Sequence, residues 1–521
     1  MSYSFQNLKA YTSRTVSNKL ETYTPRIGED YQLTVEFDVV GTPLGDYHVT
    51  FDLAEEFYAS KVSKTKAGHH VITHSFGALP LDDDIPWEIE IDPYDMAGGA
   101  DPTKSPIPLN LPEFTGDSGG VRIEITRPPR RAALATRVKG TLTPKPPDDG
   151  VEFFDPVRLA GYQQVGVVFQ EGGQIDKMAF LMGQPASDSW QTMISNSCSG
   201  KVSGVHNGEV KALPATAERF WPLFYWEIGH IAANDTLFKQ DFVVEVRNQR
   251  VNCEKLRHVR WEQLDALDSI SVFKFYKQPE SIIESKHAKI TAFVQQTLGS
   301  GYRSKMSPYD AARRLFMAVV KHVTYTFPKP GEVDRRGHTA VAVLDTKLGD
   351  CGGFSILFVA CARNMGVPAR TACGFWVGAW PHCWAEFYLP GHGWVLCDGS
   401  GGNAWSEYGK FAYCFGNQFD LNARMAFMRG NTCKVGSYET PWLQGPAGPY
   451  LSGSASVAHS KVLTTVNEAP VAPLQRVITD ASGVRTRRMK IQCPCERHGG
   501  FRPALRSLSD FKFDRQTPVV P

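Results

Sequence analysis

Alternating apolar and polar residues dominate the first half of the chain and predict β-strands. Successive side chains of a strand point to opposite faces, so this alternation is typical of strands with one buried face. A Gly-Thr-Pro turn signal between the first two segments favours a hairpin there. We therefore expect two β-sandwich-like domains, over residues 1–150 and 151–276. The alternating segments lie at 31–40, 47–53, 121–127, 134–142, 164–169, 177–181 and 241–246.

After residue 276 the apolar residues follow a helical repeat instead. The spacing predicts helices over 287–297, 308–322 and 351–365, and Ser307 before Pro308 has the form of an N-cap followed by proline at the first helical position. Strand-like segments come next, at 371–376, 382–389 and 394–398. We expect an α+β core over 277–440, and then a tail over 441–521 that is rich in Pro, Ser and Gly before it becomes basic.

Composition narrows the function classes. Lys and Arg number 56 against 54 Asp and Glu in 521 residues, a net charge of +2. A protein that bound nucleic acid along its whole length would carry a basic excess, so no nucleic-acid partner is expected, and we expect the basic tail to be solvated or docked on the chain itself. The sequence shows neither a signal peptide nor a run of ~18 apolar residues that a membrane helix needs, which favours a cytoplasmic protein without a membrane partner.

The 11 cysteines form an odd count, so at least one thiol has no internal partner. Cys351 stands out because it lies in Gly-Asp-Cys-Gly-Gly, where the chain enters the predicted helix. The positive end of the helix dipole favours a thiolate, the nucleophilic form of cysteine. The adjacent Asp350 opposes this unless it points away or caps the helix, so we expect the thiolate to need a cationic partner.

His382 and Asp398 are the candidate partners of this thiol. His382 begins one predicted strand and Asp398 ends the next, so the carboxylate can hold the imidazole in place. A four-residue loop between the strands would put Asp398 opposite Ala385, on the wrong face of the sheet. We predict a five-residue loop or a β-bulge, either of which places Asp398 on the face of His382 and Glu386.

Four motifs in this region resemble the transglutaminase-like superfamily. They are Gly-Asp-Cys-Gly-Gly-Phe, Ala-Arg-Asn-Met-Gly-Val-Pro-Ala-Arg, His-Cys-Trp-Ala-Glu-Phe-Tyr and Gly-Trp-Val-Leu-Cys-Asp, and they span roughly Lys321–Gly401. The resemblance implies a papain-like fold with Cys351 as nucleophile, His382 as general base and acid, and Asp398 as the residue that orients the histidine. Members of bacterial type often carry β domains before this core, which agrees with the β-rich first half.

The sequence departs from the family pattern after Asp398, where Gly399-Ser400 stands in place of the usual proline. The backbone N–H of Cys351 is one candidate donor to an oxyanion. In related enzymes a second donor comes from an upstream aromatic or amide side chain. This sequence has no Trp between residues 286 and 350, so Tyr325 and Gln295, with the neighbouring Gln296, are the candidates for this second donor.

The remaining cysteines are expected to serve packing rather than metal binding. Cys361 falls on the apolar stripe of its helix, and Cys383 and Cys397 alternate away from His382 and Asp398, so we expect them in the core. A zinc site is disfavoured because no Cys-x-x-Cys pair occurs. For Cys493, Cys495 and His498, free thiols or a local pair are the favoured interpretation. The acidic run 82–84 is interpreted as a solvated loop rather than a calcium site. We expect no metal and no cofactor.

Together these features predict a thiol-dependent acyl transferase or hydrolase that acts on peptide or protein amide bonds through a thioester acyl-enzyme. Whether water or an amine accepts the acyl group is left open, as is the oligomeric state. The alternative is a non-catalytic binding or scaffold protein that uses the β domains and the basic tail.

Overall fold

A computed structural model describes 4–41, 47–53, 57–63, 66–78, 85–93, 136–216, 221–328, 331–378, 381–404, 414–418, 421–430, 432–441 and 445–468. The expectations for 121–127, for the acidic run 82–84, for Cys493, Cys495 and His498, and for the basic tail lie outside these residues. The described chain forms two compact units, one ending at Pro146 and the other beginning at Pro147.

The first unit consists of two antiparallel four-stranded sheets, with strand orders β2-β1-β3-β6 and β5-β4-β7-β8. Every second side chain of β3 is buried, from Tyr31 to Val39, and the same holds for β7 from Ile85 to Ile91. The strands are β1 (Ser4–Val16), β2 (Lys19–Thr22), β3 (Asp30–Val40), β4 (Tyr47–Leu53), β5 (Phe57–Ser63), β6 (Gly68–Ala78), β7 (Ile85–Pro93) and β8 (Thr136–Leu142).

The predicted hairpin between β3 and β4 is wrong, although both strands occur where expected. β3 pairs with β1 and β6, whereas β4 pairs with β5 and β7. Each strand therefore has both edges occupied, and the two belong to different sheets. A turn signal indicates that the chain changes direction, but it does not decide whether the next strand pairs beside the first or joins another sheet.

The second unit begins with two five-stranded sheets, β13-β14-β10-β15 with β25 also on β10, and β12-β11-β16-β9-β26. Both sheets contribute to one apolar cluster, in which the rings of Phe180, Trp226 and Phe238 pack together. The strands are β9 (Val151–Phe169), β10 (Gln174–Gly183), β11 (Gln191–Val202), β12 (Val205–His206), β13 (Val210–Leu213), β14 (Leu223–Ile228), β15 (Ile231–Ala232) and β16 (Thr236–Val251).

Helices dominate the next part of this unit, and α5 spans the predicted residues with Ser307 as its N-cap. Ser307 Oγ accepts the N–H of Asp310 at 3.1 Å, which satisfies one of the free donors of the first turn. The helices are α1 (Cys253–Arg257), α2 (Trp261–Asp265), α3 (Ser271–Phe275), α4 (Ala288–Leu298), α5 (Pro308–His322), α6 (Ala340–Thr346), α7 (Cys351–Asn364) and α8 (Gly399–Ala404).

An antiparallel sheet of order β21-β20-β19-β22 packs against α7 and carries the site residues. The helix is buried along nearly its whole length, so its N-terminus is fixed against the sheet. The remaining strands are β17 (Thr324–Tyr325), β18 (Leu348–Gly349), β19 (Ala369–Trp376), β20 (Pro381–Leu389), β21 (Gly393–Cys397), β22 (Arg424–Arg429), β23 (Thr432–Val435), β24 (Tyr438–Pro441), β25 (Ala447–Gly453) and β26 (Val457–Glu468).

Two strands from the Pro-, Ser- and Gly-rich segment complete the β part of this unit. β26 pairs with β9 from Val457 to Glu468, and β25 pairs with β10. The sequence pattern did not predict these strands. The chain therefore returns from the helical part to the first sheets of the unit, and the two parts share a continuous structure.

Candidate active site

The nucleophile candidate Cys351 is the first residue of α7 and is partly exposed to solvent. Asp350 caps this helix, since its Oδ1 accepts the N–H of Gly353 at 3.1 Å. Its other oxygen pairs with Arg336. The carboxylate beside the thiol is thus held by the helix end and by a guanidinium, which limits the repulsion that it exerts on a thiolate.

His382 and Asp398 meet as the sequence analysis predicted. His382 Nε2 lies 2.7 Å from Asp398 Oδ2, and the two residues are only 4% and 2% exposed. The predicted route to this contact is wrong, because Leu389 pairs with Gly393 and the loop has neither five residues nor a bulge. The loop has three residues, which shifts the register by one residue relative to a four-residue loop. This shift also places Asp398 on the same face of the sheet as His382.

The imidazole in turn reaches Cys351, so the three predicted residues form one connected group. A hydrogen bond from Cys383 lowers the pKa of Cys351, and the charge of His382 and its hydrogen bond to the thiol lower it further. Burial and Asp350 act in the opposite direction, and the resulting pKa of Cys351 is about 6. Burial alone would lower the pKa of His382, but the charge of Asp398 outweighs it and raises the pKa to about 9.

These two pKa values favour a thiolate paired with an imidazolium around neutral pH. A cysteine with an ordinary pKa of about 8.5 is mostly protonated there. The depressed value is characteristic of cysteines that act as nucleophiles next to a cation.

A comparison with family models matches residues 295–399 to the transglutaminase-like superfamily. This segment is transglutaminase-like. It contains Cys351, His382 and Asp398, in the order and spacing of the motifs described above. A comparison with curated proteins gives no match.

Several solved structures are similar to parts of the chain. A candidate cysteine protease from Cytophaga hutchinsonii is 12% identical over 62% of this chain and 95% of its own, with a TM-score of 0.41. A TGase is 17% identical over 38% of this chain and 44% of its own, with a TM-score of 0.19. A candidate protease from Parabacteroides distasonis is 9% identical over 70% of this chain and 63% of its own, also with a TM-score of 0.19.

In the transglutaminase-like segment, Asp398 has other hydrogen-bond partners besides His382. Ser400 Oγ donates to its Oδ1 at 2.7 Å, and the N–H of Gly401 donates to the same oxygen at 3.0 Å. Arg424, from β22, donates to Oδ2 at 2.8 Å and is itself buried. Burial by itself would raise the pKa of Asp398, but the charges of His382 and Arg424 hold it well below its usual range.

Two tryptophans enclose His382 and Arg424. The Trp376 ring lies 5.4 Å from the imidazole and 4.1 Å from the Arg424 guanidinium. On β20, the strand that also carries His382, the Trp384 ring stacks on the imidazole at 6.0 Å with an interplanar angle of 25°. Aromatic faces attract cations and exclude water. The indoles therefore favour the charged form of the imidazole and fix its orientation.

Sequence reasoning missed Arg424 because no motif marks β22. A usable signal exists in the strand itself, Arg-Met-Ala-Phe-Met-Arg, where two arginines bound an apolar run. Arginine is rarely buried without a partner, so two of them in a fully buried strand indicate buried carboxylates nearby.

The second arginine of β22 belongs to a separate buried ionic cluster. Arg370 Nε donates to Glu386 Oε2 at 2.7 Å, and Arg370 also pairs with Asp188. Arg429 lies 3.6 Å from both carboxylates, while Trp190 Nε1 donates to Glu386 at 3.0 Å. This cluster connects the loop before β11 to β19, β20 and β22, and so fixes the strand that carries His382.

The candidates for a second oxyanion donor lie in different places. Tyr325 lies near the site: burial raises its pKa, and the negative charges of Cys351 and Asp350 raise it further, so the phenol stays protonated. Gln295 and Gln296 are exposed on α4. Within the described residues no interaction connects Gln295 to Cys351.

The residues that the structure describes contain neither a metal-binding cluster nor a membrane-spanning helix. No group of three or more His, Cys, Asp or Glu side chains there has a geometry that could hold a metal ion. No helix in that part of the chain combines the length and the apolar character needed to cross a membrane.

Proposed function

We propose that the protein is a cysteine enzyme that acts on peptide or protein amide bonds through a thioester at Cys351. The observation that carries this proposal is the connected group of a partly exposed thiol at a helix N-terminus, a histidine hydrogen-bonded to it, and a buried carboxylate 2.7 Å from that histidine. Nucleophile, base and orienting acid in this arrangement are suited to acyl transfer.

Acylation begins with the thiolate of Cys351, which attacks the carbonyl carbon of the amide. The carbonyl oxygen becomes an oxyanion. The His382 imidazolium then gives its proton to the nitrogen of the leaving amine as the C–N bond breaks. The products are an amine and an acyl group bound to the sulfur as a thioester. Asp398 keeps the imidazole oriented and stabilises its charged form.

Deacylation reverses these roles. The neutral His382 removes a proton from water, or from a second amine, which attacks the thioester and restores the thiolate. Water gives hydrolysis and an amine gives transamidation. The choice depends on the shape of the acceptor side of the site, and the proposal includes both reactions.

The oxyanion is proposed to accept two hydrogen bonds. One comes from the backbone N–H of Cys351, because the first N–H groups of a helix have no intrahelical acceptor. Tyr325 is better supported than Gln295 as the second donor, since it lies near Cys351 and remains protonated. The mechanism uses no metal or organic cofactor. We also propose that the β-sheets before the core form β-sandwiches and that the core is papain-like.

The test is a panel of glutamine-containing peptides, incubated with the full chain with and without a labelled primary amine. Ammonia release, incorporated label or a cleaved peptide supports the proposal and identifies the reaction, provided that Cys351→Ala abolishes the product. An absence of product from a broad panel, with the protein folded, contradicts the proposal and favours a binding or scaffold protein.

A further inference from the structure

Three cysteine side chains form a continuous chain that starts at the candidate nucleophile. Cys351 packs against the buried cluster that contains Cys373 and Cys383, and a hydrogen bond from Cys383 favours its thiolate. The sulfur of Cys383 lies 3.0 Å from that of Cys373. All three are free thiols. Sequence reasoning expected Cys383 in the core, where it is indeed buried, but did not place it beside Cys351. We call these three residues the thiol chain.

The backbone brings the inner two thiols into a position that a disulfide can adopt. Cys373 and Cys383 face each other directly in the antiparallel register of β19 and β20. Directly opposed residues in such a ladder have Cα atoms about 4.5 to 5.5 Å apart. Disulfides need a Cα separation of about 4.4 to 6.8 Å, so the strands need not separate for the bond to form.

Access and reactivity differ along the thiol chain in a consistent direction. Cys351 is partly exposed, whereas Cys383 is 4% and Cys373 0% exposed. An oxidant from solvent therefore reaches Cys351 first. The pKa of Cys383 is raised by its hydrogen bond to Cys351 and by its contact with Cys373. The hydrogen bond from Cys383 in turn favours the thiolate of Cys351, the form that peroxides oxidise.

We propose that the thiol chain is an oxidation site that captures hydroperoxides as a reversible disulfide and keeps Cys351 from irreversible oxidation. The thiolate of Cys351 attacks the terminal oxygen of the hydroperoxide, whose O–O bond breaks. Cys351 becomes a sulfenic acid, and the alkoxide or hydroxide takes up a proton. The sulfur of Cys383 then displaces the sulfenic oxygen, which leaves as water with the thiol proton, and a Cys351–Cys383 disulfide forms.

The second step moves the disulfide inward. The sulfur of Cys373 attacks that of Cys383, a Cys373–Cys383 bond forms, and Cys351 leaves as a thiolate while the proton of Cys373 is released. A thiol with a low pKa is the better leaving group in such an exchange, which favours departure of Cys351. The nucleophile is thus regenerated while the buried pair retains the oxidation, and an external thiol can reduce that pair later.

The test is mass spectrometry of the full chain after treatment with hydrogen peroxide. Free thiols are blocked with N-ethylmaleimide before digestion, and chymotrypsin is included because it cleaves at Phe375 and Trp376, between Cys373 and Cys383. The variants are Cys383→Ser and Cys373→Ser. Cys198→Ser is the matched control, since Cys198 is also partly exposed but lies on β11.

In the wild type and in Cys198→Ser we expect a Cys373–Cys383 disulfide, with Cys351 returned to the thiol. Cys373→Ser should stop at a Cys351–Cys383 disulfide. Cys383→Ser should lose both disulfides and accumulate sulfinic and sulfonic acid at Cys351. If Cys383→Ser is poorly folded, Cys373→Ser alone still tests the proposal. Only transfer of the disulfide along the thiol chain predicts that the disulfide of the Cys373→Ser variant contains Cys351.

Sulfinic acid at Cys351 in the wild type without either disulfide would overturn the inference, and so would a disulfide from Cys351 to any other thiol. The inference rests on the reactive thiolate of the proposed function but not on amide chemistry. Rapid iodoacetamide labelling of Cys351 in a protein that forms no such disulfide would refute the thiol chain alone. Slow labelling would refute the nucleophile itself.

Discussion

At the scale of single residues, the pKa of His382 depends on a carboxylate, Asp398, that also pairs with Arg424. Asp398 Oδ2 lies 2.7 Å from His382 Nε2 and 2.8 Å from the Arg424 guanidinium. The charge of Asp398 raises the pKa of His382, and the charge of Arg424 lowers it. Arg424 is therefore a positioning residue that keeps the imidazolium acidic enough to give up its proton.

We expect Arg424→Gln to raise the pKa of His382 above its value of about 9. The amide still donates to Asp398, but the positive charge is gone, so the carboxylate acts on His382 alone. The measurement is the pH titration of the His382 ring signal by NMR. Arg424→Lys retains the charge and is the control, with a smaller shift expected. A pKa that stays the same or falls in Arg424→Gln would contradict this role.

The sequence predicted Cys351, His382 and Asp398 because each lies in a local motif. It did not predict Arg424, which follows Asp398 by 26 residues in a strand of its own. Nor did it predict the contact between Cys351 and Cys383, since alternation along β20 places Cys383 on the face opposite to His382. Contacts that depend on how a helix end meets a sheet are not encoded in the period of either element.

At the scale of elements, the N-terminus of α7 combines capping with reactivity. Asp350 caps the helix through Gly353 and raises the pKa of the adjacent Cys351 at the same time. An N-cap contributes about 1 kcal/mol to stability. The same side chain therefore stabilises the helix and disfavours the charged form of Cys351, and two substitutions separate these effects.

We expect Asp350→Asn to lower the pKa of Cys351 and to retain the helix cap, because asparagine caps as well as aspartate does but carries no charge. Asp350→Ala should lower that pKa too and reduce the free energy of unfolding by about 1 kcal/mol. Urea unfolding gives the stability, and the pH dependence of thiol alkylation gives the pKa. An unchanged pKa in both variants would contradict the electrostatic part of the argument.

The bounds of several elements could be predicted closely, because strong periodicity and end signals coincide in them. The helix over Pro308–His322 agrees with the prediction, and α7 ends one residue earlier than predicted. The loop between β20 and β21 could not be predicted, since its length depends on hydrogen bonds rather than on composition. Glycines at 391 and 393 with positive φ allow the short turn.

At the scale of the whole molecule, the core of the second unit is shared between its β-rich and helical parts. One apolar cluster contains Leu159, Phe242, Val244 and Val246 from β9 and β16 together with Trp384 and Met425 from the site sheet. Gln191 donates to the carbonyl of Ala426 at 3.0 Å, and the side-chain oxygen of Gln191 accepts the N–H of Ala426 at 2.8 Å. The strands that carry the site thus depend on the sheets before them.

We expect a fragment of residues 277–440 to lack a cooperative unfolding transition, whereas residues 147–468 should retain one. The shorter fragment loses the buried apolar side chains of β9 and β16, each worth about 1.5 to 3 kcal/mol. Domains are typically stable by only about 5 to 15 kcal/mol, so the loss of several such side chains is decisive. Urea titration monitored by circular dichroism is the measurement. A cooperative transition in 277–440 would show that the shared core is dispensable.

The four-part domain division stays a prediction, but the structure explains why strands were missed after residue 441. β25 and β26 lie in a segment whose Gly, Ser and Pro content resembles a linker, and their pairing partners are more than 250 residues earlier. Such long-range pairing leaves little trace in local composition.

The central claim is that Cys351 is a thiolate activated by His382, and site-resolved iodoacetamide labelling tests it most directly. At about pH 6.5, just above its pKa of about 6, Cys351 should label about five- to tenfold faster than Cys253, another partly exposed thiol among the described residues. Cys198 should label more slowly than both, because burial raises its pKa. Unfolding in urea should remove the difference. Labelling of Cys351 no faster than that of Cys253 in the folded protein, with an inflection near the ordinary thiol pKa of about 8.5, would contradict the account.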